Sequence, residues 1–205
     1  MAGIFPKTLN KCNSTLKYFR SRFFDDFVFI HINKTGGTSI EAALKLPLEH
    51  KTALEKRQEL GEKRWASSYK FCVVRNPWDK VVSHFHYRVQ TNQTDLKSGN
   101  LDFNGWVLET YARQNPTYYD KPLMFMPQVD WISDEDGRVI VDYICRFESL
   151  AYDFGRVCER LGRKVELPHK KSSTRSGYRD YYTPESVEIV RKWFEKDISA
   201  FGYEF

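Results

Sequence analysis

The sequence has few cysteines and places none of them in a pattern typical of a metal or redox site. Four occur among 205 residues, at Cys12, Cys72, Cys145 and Cys158. They form no C-x-x-C pair, and no histidine cluster accompanies them at zinc spacing. Because Cys72 lies in an apolar run and Cys158 in a helical pattern, we expect reduced, mostly buried thiols rather than a disulfide framework. A set of acidic residues at metal-site spacing is also lacking, so we expect no metal.

Long apolar runs and blocks of like charge are missing as well. The first apolar run, Phe27–Ile32, is far shorter than the roughly 20 residues of a membrane-spanning helix. Met1–Arg22 lacks the apolar core of a signal peptide. We therefore expect no membrane segment and a cytoplasmic protein, with an anchor upstream of Met1 left open. The 32 basic and 27 acidic side chains are scattered and give a net charge of +5, which suits an anionic ligand and argues against a nucleic-acid partner.

Short apolar runs alternate with amphipathic helical patterns along the chain. Phe27–Ile32, Phe71–Val74 and Val139–Ile144 are predicted strands. The order predicts an α/β fold with a central parallel sheet flanked by helices. We expect 1–26 to be an N-terminal lead-in and 27–205 to be a single domain. Ligands bind at the carboxyl ends of the strands in such folds, and two polar turns fall there.

Capping and helix-breaking residues predict where several other elements begin and end. Asn76 is expected to cap a helix that starts at Pro77. Thr183 is expected to cap a last helix whose apolar side continues to Phe201. The segment 115–127 contains three prolines and is expected to be irregular.

The first polar turn joins a buried strand to a helix and combines a positive charge with glycines and hydroxyls. It consists of Lys34, Thr35, Gly36, Gly37, Thr38 and Ser39. Glycines let the backbone approach a ligand closely, and the helix N-terminus offers N–H groups to an anion. The pattern predicts a phosphate cradle, with an ordinary glycine turn as the alternative. It is not the Walker A loop, G-x-x-x-x-G-K-[ST], because its lysine precedes the glycines.

The second polar turn places an arginine at the end of a strand, just before a capped helix. Arg75 can hold a phosphate through two parallel hydrogen bonds, and Ser83, two turns along the helix, adds a hydroxyl donor. The alternative is that Arg75 pairs with a nearby carboxylate and that Ser83 is a surface residue. Taken by itself, this turn favours neither interpretation.

The two turns, Lys34–Ser39 and Arg75–Ser83, together resemble the motifs of the sulfotransferases that use 3′-phosphoadenosine 5′-phosphosulfate (PAPS). The resemblance is to the carbohydrate-type branch, which includes heparan sulfate 2-O- and chondroitin sulfotransferases and bacterial relatives. Arg146–Phe154 is similar to the family's R-F-E-x-L-x-x-D-F segment, and Tyr181–Tyr203 is similar to its closing helix. The likeness covers Phe27–Phe205 and implies a P-loop-like sulfotransferase fold.

The resemblance implies a role for each matching residue. Lys34 would contact the phosphosulfate bridge and stabilise the leaving phosphate, and Gly36–Ser39 would bind the 5′-phosphate. Arg75 and Ser83 would bind the 3′-phosphate, which distinguishes PAPS from ATP. A looser match at 175–178 implies a loop that closes over the nucleotide, with a solvated basic loop as the alternative. The cofactor-binding residues implied are Lys34, Thr35, Gly36, Gly37, Thr38, Ser39, Arg75, Ser83, Arg175, Gly177 and Tyr178.

The acceptor hydroxyl needs a base, and His50 is the predicted one. It lies between the two motifs, where relatives place a histidine or glutamate, and histidine accepts a proton near neutral pH. A surface histidine at a helix start is the alternative. Glu49, His84 and His86 are rival candidates, with His86 placed where its helix could bury it. His31, in the first strand, is more typical of a histidine satisfied within the core.

The sequence therefore predicts a PAPS-dependent sulfotransferase, with a carbohydrate favoured as acceptor and lipid or small-metabolite hydroxyls left open. Gln128–Trp131 resembles a family element near the acceptor cleft. Aromatic residues from Trp106 to Trp131 would line a sugar-binding groove or, alternatively, pack in the core. A kinase-like phosphotransferase and a non-catalytic nucleotide-binding module are the alternative functions. The kinase would need a magnesium-binding carboxylate and a phosphate loop of a different pattern.

Overall fold

The computed structural model describes the backbone of residues 6–168 and 177–205, and the side chains of 15–168 and 177–205. These residues form two compact units. The first comprises the residues up to Val74 and those from Ile132 to 168. The second comprises Arg75–Trp131 and the residues from 177 onward.

The first unit contains a parallel sheet, which confirms the predicted α/β class. Its strands are β1 (Phe27–Ile30), β2 (Tyr69–Val74) and β3 (Tyr143–Arg146), in the order β1-β2-β3 with both pairs parallel. The central strand β2 is buried from residue 70 to 74, and therefore on both faces, because successive side chains point to opposite sides. The carboxyl ends of the three strands lie at one edge of the sheet.

Helices occupy most of the remaining described chain. They are α1 (Pro6–Phe23), α2 (Gly37–Leu44), α3 (Ala53–Leu60), α4 (Glu62–Ser67), α5 (Pro77–Gln90), α6 (Phe103–Val107), α7 (Pro122–Phe125), α8 (Gln128–Trp131), α9 (Leu150–Arg160), α10 (Pro184–Trp193) and α11 (Glu195–Phe201). A π-helical turn follows α6 at Leu108–Ala112, and 3₁₀ turns occur at Gln93–Ser98, Phe147–Ser149 and Tyr178–Tyr181. Within the described ranges, no helix has both the length and the apolarity needed to cross a membrane.

Three predicted elements differ from the structure. The third strand lies at Tyr143–Arg146 rather than Val139–Ile144, because its register is set by pairing with β2, whereas Val139 forms an isolated antiparallel bridge with Ser133. The segment 115–127 includes the short helix α7, whose Pro122 occupies a first-turn position that proline favours. The last helix is interrupted at Phe194, between α10 and α11.

The core of the first unit lies between the sheet and helices α2 and α9. Its buried side chains include Phe27, Ile40, Leu44, Phe71, Val73, Phe154 and Val157. Cys72, Cys145 and Cys158 are buried free thiols, as predicted, and burial raises the pKa of each. The side chain of Cys12 lies outside the described residues.

The core of the second unit is aromatic. Trp106 and Phe125 are fully buried there with Trp78 and Phe194, and Trp131 is also fully buried. For Trp106, Phe125 and Trp131, core packing therefore holds rather than the alternative of a sugar-binding groove. They contribute to the stability of the unit rather than to an open groove.

Candidate functional site

The turn between β1 and α2 has the backbone conformation of an anion-binding loop. Lys34 and Gly36 both have positive φ, at 66° and 86°, and such alternation along a turn is typical of anion nests. The buried Thr35 hydroxyl donates to Ile32 O at 2.8 Å and holds the turn closed. Ser39 N–H donates to Gly36 O, whereas the N–H groups of Gly37 and Thr38 have no acceptor among the described residues. The N-terminus of α2 therefore offers backbone donors to an anion.

The ring of His31 lies directly against the backbone of Gly37. A Cβ atom added at Gly37 would lie 2.1 Å from His31 Cδ2 and 2.5 Å from its Nε2. At Gly36 the positive φ disfavours any side chain. The two glycines are thus required for different reasons, one for close approach and one for its backbone conformation.

We expect Gly37→Ala and Gly155→Ala to change stability in opposite directions. The first inserts a methyl group into a buried ring and should lower the free energy of unfolding by about 1–3 kcal/mol. The second fills open space within α9 and should raise it by about 0.5–1 kcal/mol. Urea denaturation followed by circular dichroism measures both. Equal effects of the two substitutions would contradict the packing of His31 on Gly37.

A buried carboxylate ties the end of β1 to the segment that carries His50. Glu41 Oε1 on α2 lies 2.7 Å from His31 Nδ1, with both side chains buried, which confirms His31 as a satisfied core histidine. The same oxygen accepts the Glu49 N–H at 3.3 Å. Glu41 therefore contacts both the residue after β1 and the residue before His50.

The geometry of His50 suits a general base. Its Nδ1 lies 2.9 Å from the backbone oxygen of His31. A carbonyl oxygen can only accept, so Nδ1 carries the proton and the neutral ring has its lone pair on Nε2. Burial is the largest influence on the pKa of His50 and lowers it below its usual 6.5. The charges of His31 and Lys34 lower this pKa further, whereas the hydrogen bond to His31 O and the charge of Glu41 raise it by less. The neutral form, which can take a proton, is therefore the prevalent form at neutral pH.

The rival bases occupy different environments. Glu49 is held in an ion pair, with its Oε1 2.6 Å from Lys56 Nζ. His84 is buried in the second unit, 4.9 Å from the ring centroid of Phe125. His86 is exposed, so the suggested burial of His86 was wrong. The buried face of α5 includes Val81, His84 and Arg88, and His86 points away from it.

Arg75, which follows β2 directly in the chain, is held in place from two sides. Its backbone N–H donates to Gln128 Oε1 and its carbonyl accepts from Gln128 Nε2, each at 2.9 Å. Its Nε and Nη2 lie 2.8 and 2.7 Å from Asp79 Oδ2. Arg75 therefore pairs with a nearby carboxylate, as the alternative interpretation of this turn expected. A guanidinium has five N–H donors, so a pair with one oxygen atom is compatible with a further anion.

The other predicted residues of the second unit lie on or near α5. Ser83 is four residues beyond Asp79, on the same side of the helix; it is half-buried, and its hydroxyl has no hydrogen-bond partner in the described part of the chain. Asn76 caps α5 as predicted, accepting from Trp78 N–H, and its Nδ2 donates to the Tyr178 hydroxyl at 3.4 Å. Gly177 is exposed. Arg175 and Ser176 lie outside the described residues.

Sequence reasoning missed the buried network behind Arg75. Asp197 accepts from the backbone N–H groups of Gln128 and Val129, each at 2.9 Å, and from Gln128 Nε2 at 3.0 Å. Burial lowers the pKa of the neighbouring Lys80 to about 8, and the charge of Arg75 lowers it further. The charge of Asp197 raises this pKa but does not offset the effect of burial. Gln128 and Asp197 lie 69 positions apart in the chain, so no local pattern links them.

Three comparisons relate this chain to known proteins. The sequence model of the sulfotransferase family matches residues 18–204. The chain is 32% identical over 113 residues to an uncharacterized protein of Archaeoglobus fulgidus, which covers 54% of this chain and 82% of that protein. It is also similar to the crystal structure of a sulfotransferase from Alicyclobacillus acidocaldarius, with 20% identity, a TM-score of 0.37 and coverage of 73% of this chain. The match spans 63% of that sulfotransferase, less than two thirds of its length.

Proposed function

Because this chain belongs to the sulfotransferase family, we propose that it transfers a sulfuryl group from PAPS to a hydroxyl acceptor. The reaction is PAPS + R–OH → adenosine 3′,5′-bisphosphate + R–OSO₃⁻ + H⁺. The observation that carries the proposal is the turn at Lys34–Ser39, which combines a lysine, hydroxyls and, at the start of α2, backbone N–H groups that have no acceptor in the described ranges. Such a turn binds the phosphate end of a nucleotide.

The donor is assigned to the residues that the family resemblance implies. The N–H groups of Gly37 and Thr38 and the hydroxyls of Thr38 and Ser39 would hold the 5′-phosphate. Arg75 and Ser83 would bind the 3′-phosphate. This assignment is supported by the arginine's fixed backbone and by a Ser83 hydroxyl with no partner among the described residues.

His50 and Lys34 are assigned to the transfer step. His50 Nε2 would take the proton of the acceptor hydroxyl as its oxygen bonds to sulfur. The bond between sulfur and the bridging oxygen then breaks, and the electron pair leaves with the phosphate. Lys34 would stabilise the negative charge that grows on this phosphate. No metal is assigned to the step because Lys34 and the backbone N–H groups supply the positive potential.

The acceptor class rests on the resemblance to the carbohydrate-type branch. We propose a carbohydrate hydroxyl, with lipid and small-metabolite hydroxyls as the alternatives to be screened beside it. The proposed compartment is the cytoplasm. Transfer of radiolabelled sulfate from PAPS to panels of glycans, lipids and small alcohols tests this proposal directly.

The same assay separates the alternative functions. The family match does not favour a kinase, which would label the acceptor from γ-labelled ATP instead of PAPS. A non-catalytic module would bind PAPS in calorimetry but label no acceptor in any panel. Either result would overturn the proposed sulfotransferase activity.

We expect Arg75→Lys and Ser83→Ala to weaken the selection for the 3′-phosphate. Each substitution removes a charge-assisted or hydroxyl hydrogen bond, so the KM for PAPS should rise by about 10–100-fold. The KM for adenosine 5′-phosphosulfate, which lacks the 3′-phosphate, should stay within a few-fold of the wild-type value. Steady-state kinetics with both donors measures the difference. If both KM values rise equally, these residues do not contact the 3′-phosphate.

A further inference from the structure

One side of α1 presents large apolar side chains to solvent. Leu16, Phe19 and Phe23 are 61%, 53% and 53% exposed, and Phe24, just after the helix, is 71% exposed. The spacing of three and four residues puts the first three on one face of the helix. Phe19 lies 4.8 Å from the ring centroid of Phe23 and 5.8 Å from that of Phe24. These four residues are here called the α1 aromatic face.

The other side of α1 is attached to the first unit. Tyr18 hydrogen-bonds to Glu59 on α3, and Arg22 Nη1 lies 2.9 Å from the same carboxylate. Arg20 Nη2 donates to the backbone oxygen of Leu44 at 2.8 Å. The contacts hold the helix in a defined orientation with its aromatic face outward. Exposure of these rings is therefore a property of the folded unit.

The segment that carries this face is positively charged. Met1–Phe24 contains five basic residues and no acidic one. Without those five, the rest of the chain has 27 basic and 27 acidic residues, so this segment accounts for the whole net charge of +5. The first acidic residue, Asp25, is buried and paired with Arg20 and Arg163.

The positive charge of this segment distinguishes between two possible partners of the α1 aromatic face, a second copy of the chain and a lipid bilayer. A second copy of the chain would bring two acid-free basic helices together, and like charges along a helix seam oppose pairing. A bilayer with anionic lipids matches both features, because its interface accepts aromatic side chains and its surface potential attracts lysine and arginine. We infer that α1 lies in the plane of an anionic membrane surface with its aromatic face inserted between the lipids.

Vesicle co-sedimentation of the full chain tests this inference. Binding to phosphatidylcholine vesicles that contain phosphatidylserine should exceed binding to pure phosphatidylcholine by about tenfold or more and should weaken as salt is raised. The double variant Phe19→Ala/Phe23→Ala should lose about tenfold or more of this binding, because both rings leave the lipid. Tyr152→Ala, on α9, removes an aromatic ring of similar exposure and should bind as the wild type does. Circular dichroism verifies that each variant is folded.

Three outcomes would overturn the inference. The chain could fail to sediment with the anionic vesicles, or sediment equally with neutral ones. Light scattering could instead show a dimer that Phe19→Ala/Phe23→Ala converts to a monomer, which would assign the face to a second copy. None of these measurements uses a sulfate donor or acceptor, so their result is independent of the proposed transfer activity.

Discussion

Replacement of Lys34 by alanine is expected to lower kcat by about 10²–10³-fold, the loss typical of removing one preorganised stabiliser of transition-state charge. Lys34 directly precedes the glycine turn and holds a positive φ of 66°, a conformation that costs energy for a residue with a side chain. Its positive charge also reaches His50, whose pKa it lowers. The lysine thus lies beside both the glycine turn proposed to bind the donor and the proposed base.

Lys45→Ala is the matched control for this substitution. Lys45 is an exposed lysine at the other end of α2, and its φ of 56° is also positive. The two variants therefore share the same change of side chain and of backbone strain. We expect wild-type turnover for Lys45→Ala. If the two variants lose activity equally, the loss comes from the backbone, and Lys34 has no role in charge stabilisation.

A second measurement on Lys34→Ala does not depend on turnover. Removing a positive charge near His50 makes protonation of its ring easier, so the pKa of His50 should rise towards its usual value. Nuclear magnetic resonance titration of the ring protons, assigned by their loss in His50→Gln, would follow this change. An unchanged or lowered pKa would show that Lys34 and His50 do not interact.

Replacement of His50 by glutamine is expected to lower kcat by about 10²–10⁴-fold, the range for a general base. Glutamine retains a polar side chain but has no basic nitrogen to accept the acceptor's proton. His86→Gln, on the exposed side of α5, is the control and should leave kcat within a few-fold of the wild type. Loss of activity in the His86 variant alone would move the base assignment to α5.

The pH dependence of the wild type provides an independent check on the base. A base works only when unprotonated, and burial lowers the pKa of His50 below 6.5, so kcat/KM should be level at neutral pH and fall only in more acidic solution. Between the lowered pKa and 6.5 the unfolded chain binds more protons than the folded one, so this group's contribution to the free energy of unfolding also falls as the pH drops. An activity loss that begins above pH 7 would contradict this assignment.

Local chemistry made several features of the fold predictable. Asn76 and Pro77 mark the start of α5 because a cap and a first-turn proline act within a few residues. The apolar runs at Phe27 and Phe71 predict buried strands because they are short and rich in aromatic and β-branched residues. The third strand was displaced because its ends are set by pairing with β2 rather than by its own residues.

Some features of the candidate site were likewise predictable from the sequence, and others became visible only in the structure. The lysine, glycines and hydroxyls of the candidate turn Lys34–Ser39 are recognisable in the sequence because they are consecutive residues. The sequence suggested that α5 could bury His86, but His84, two residues earlier, lies on the buried side of the helix and His86 is exposed. Which side of α5 meets the core decided this difference. The need for Gly37 to lack a side chain became visible only from the position of the His31 ring.

By itself, the sequence determined the chemistry available to this protein: a candidate anion-binding turn after the first strand, an arginine after the second, and a histidine between them. Only the tertiary structure decided which neighbouring residues set the orientation and protonation of those groups. The Glu41 contact to His31 and Glu49, the His50 tautomer set by a backbone oxygen, and the Gln128–Asp197 support of Arg75 all come from contacts across elements. Burial and neighbouring charge control a side chain's pKa and orientation, and both arise when distant segments pack together.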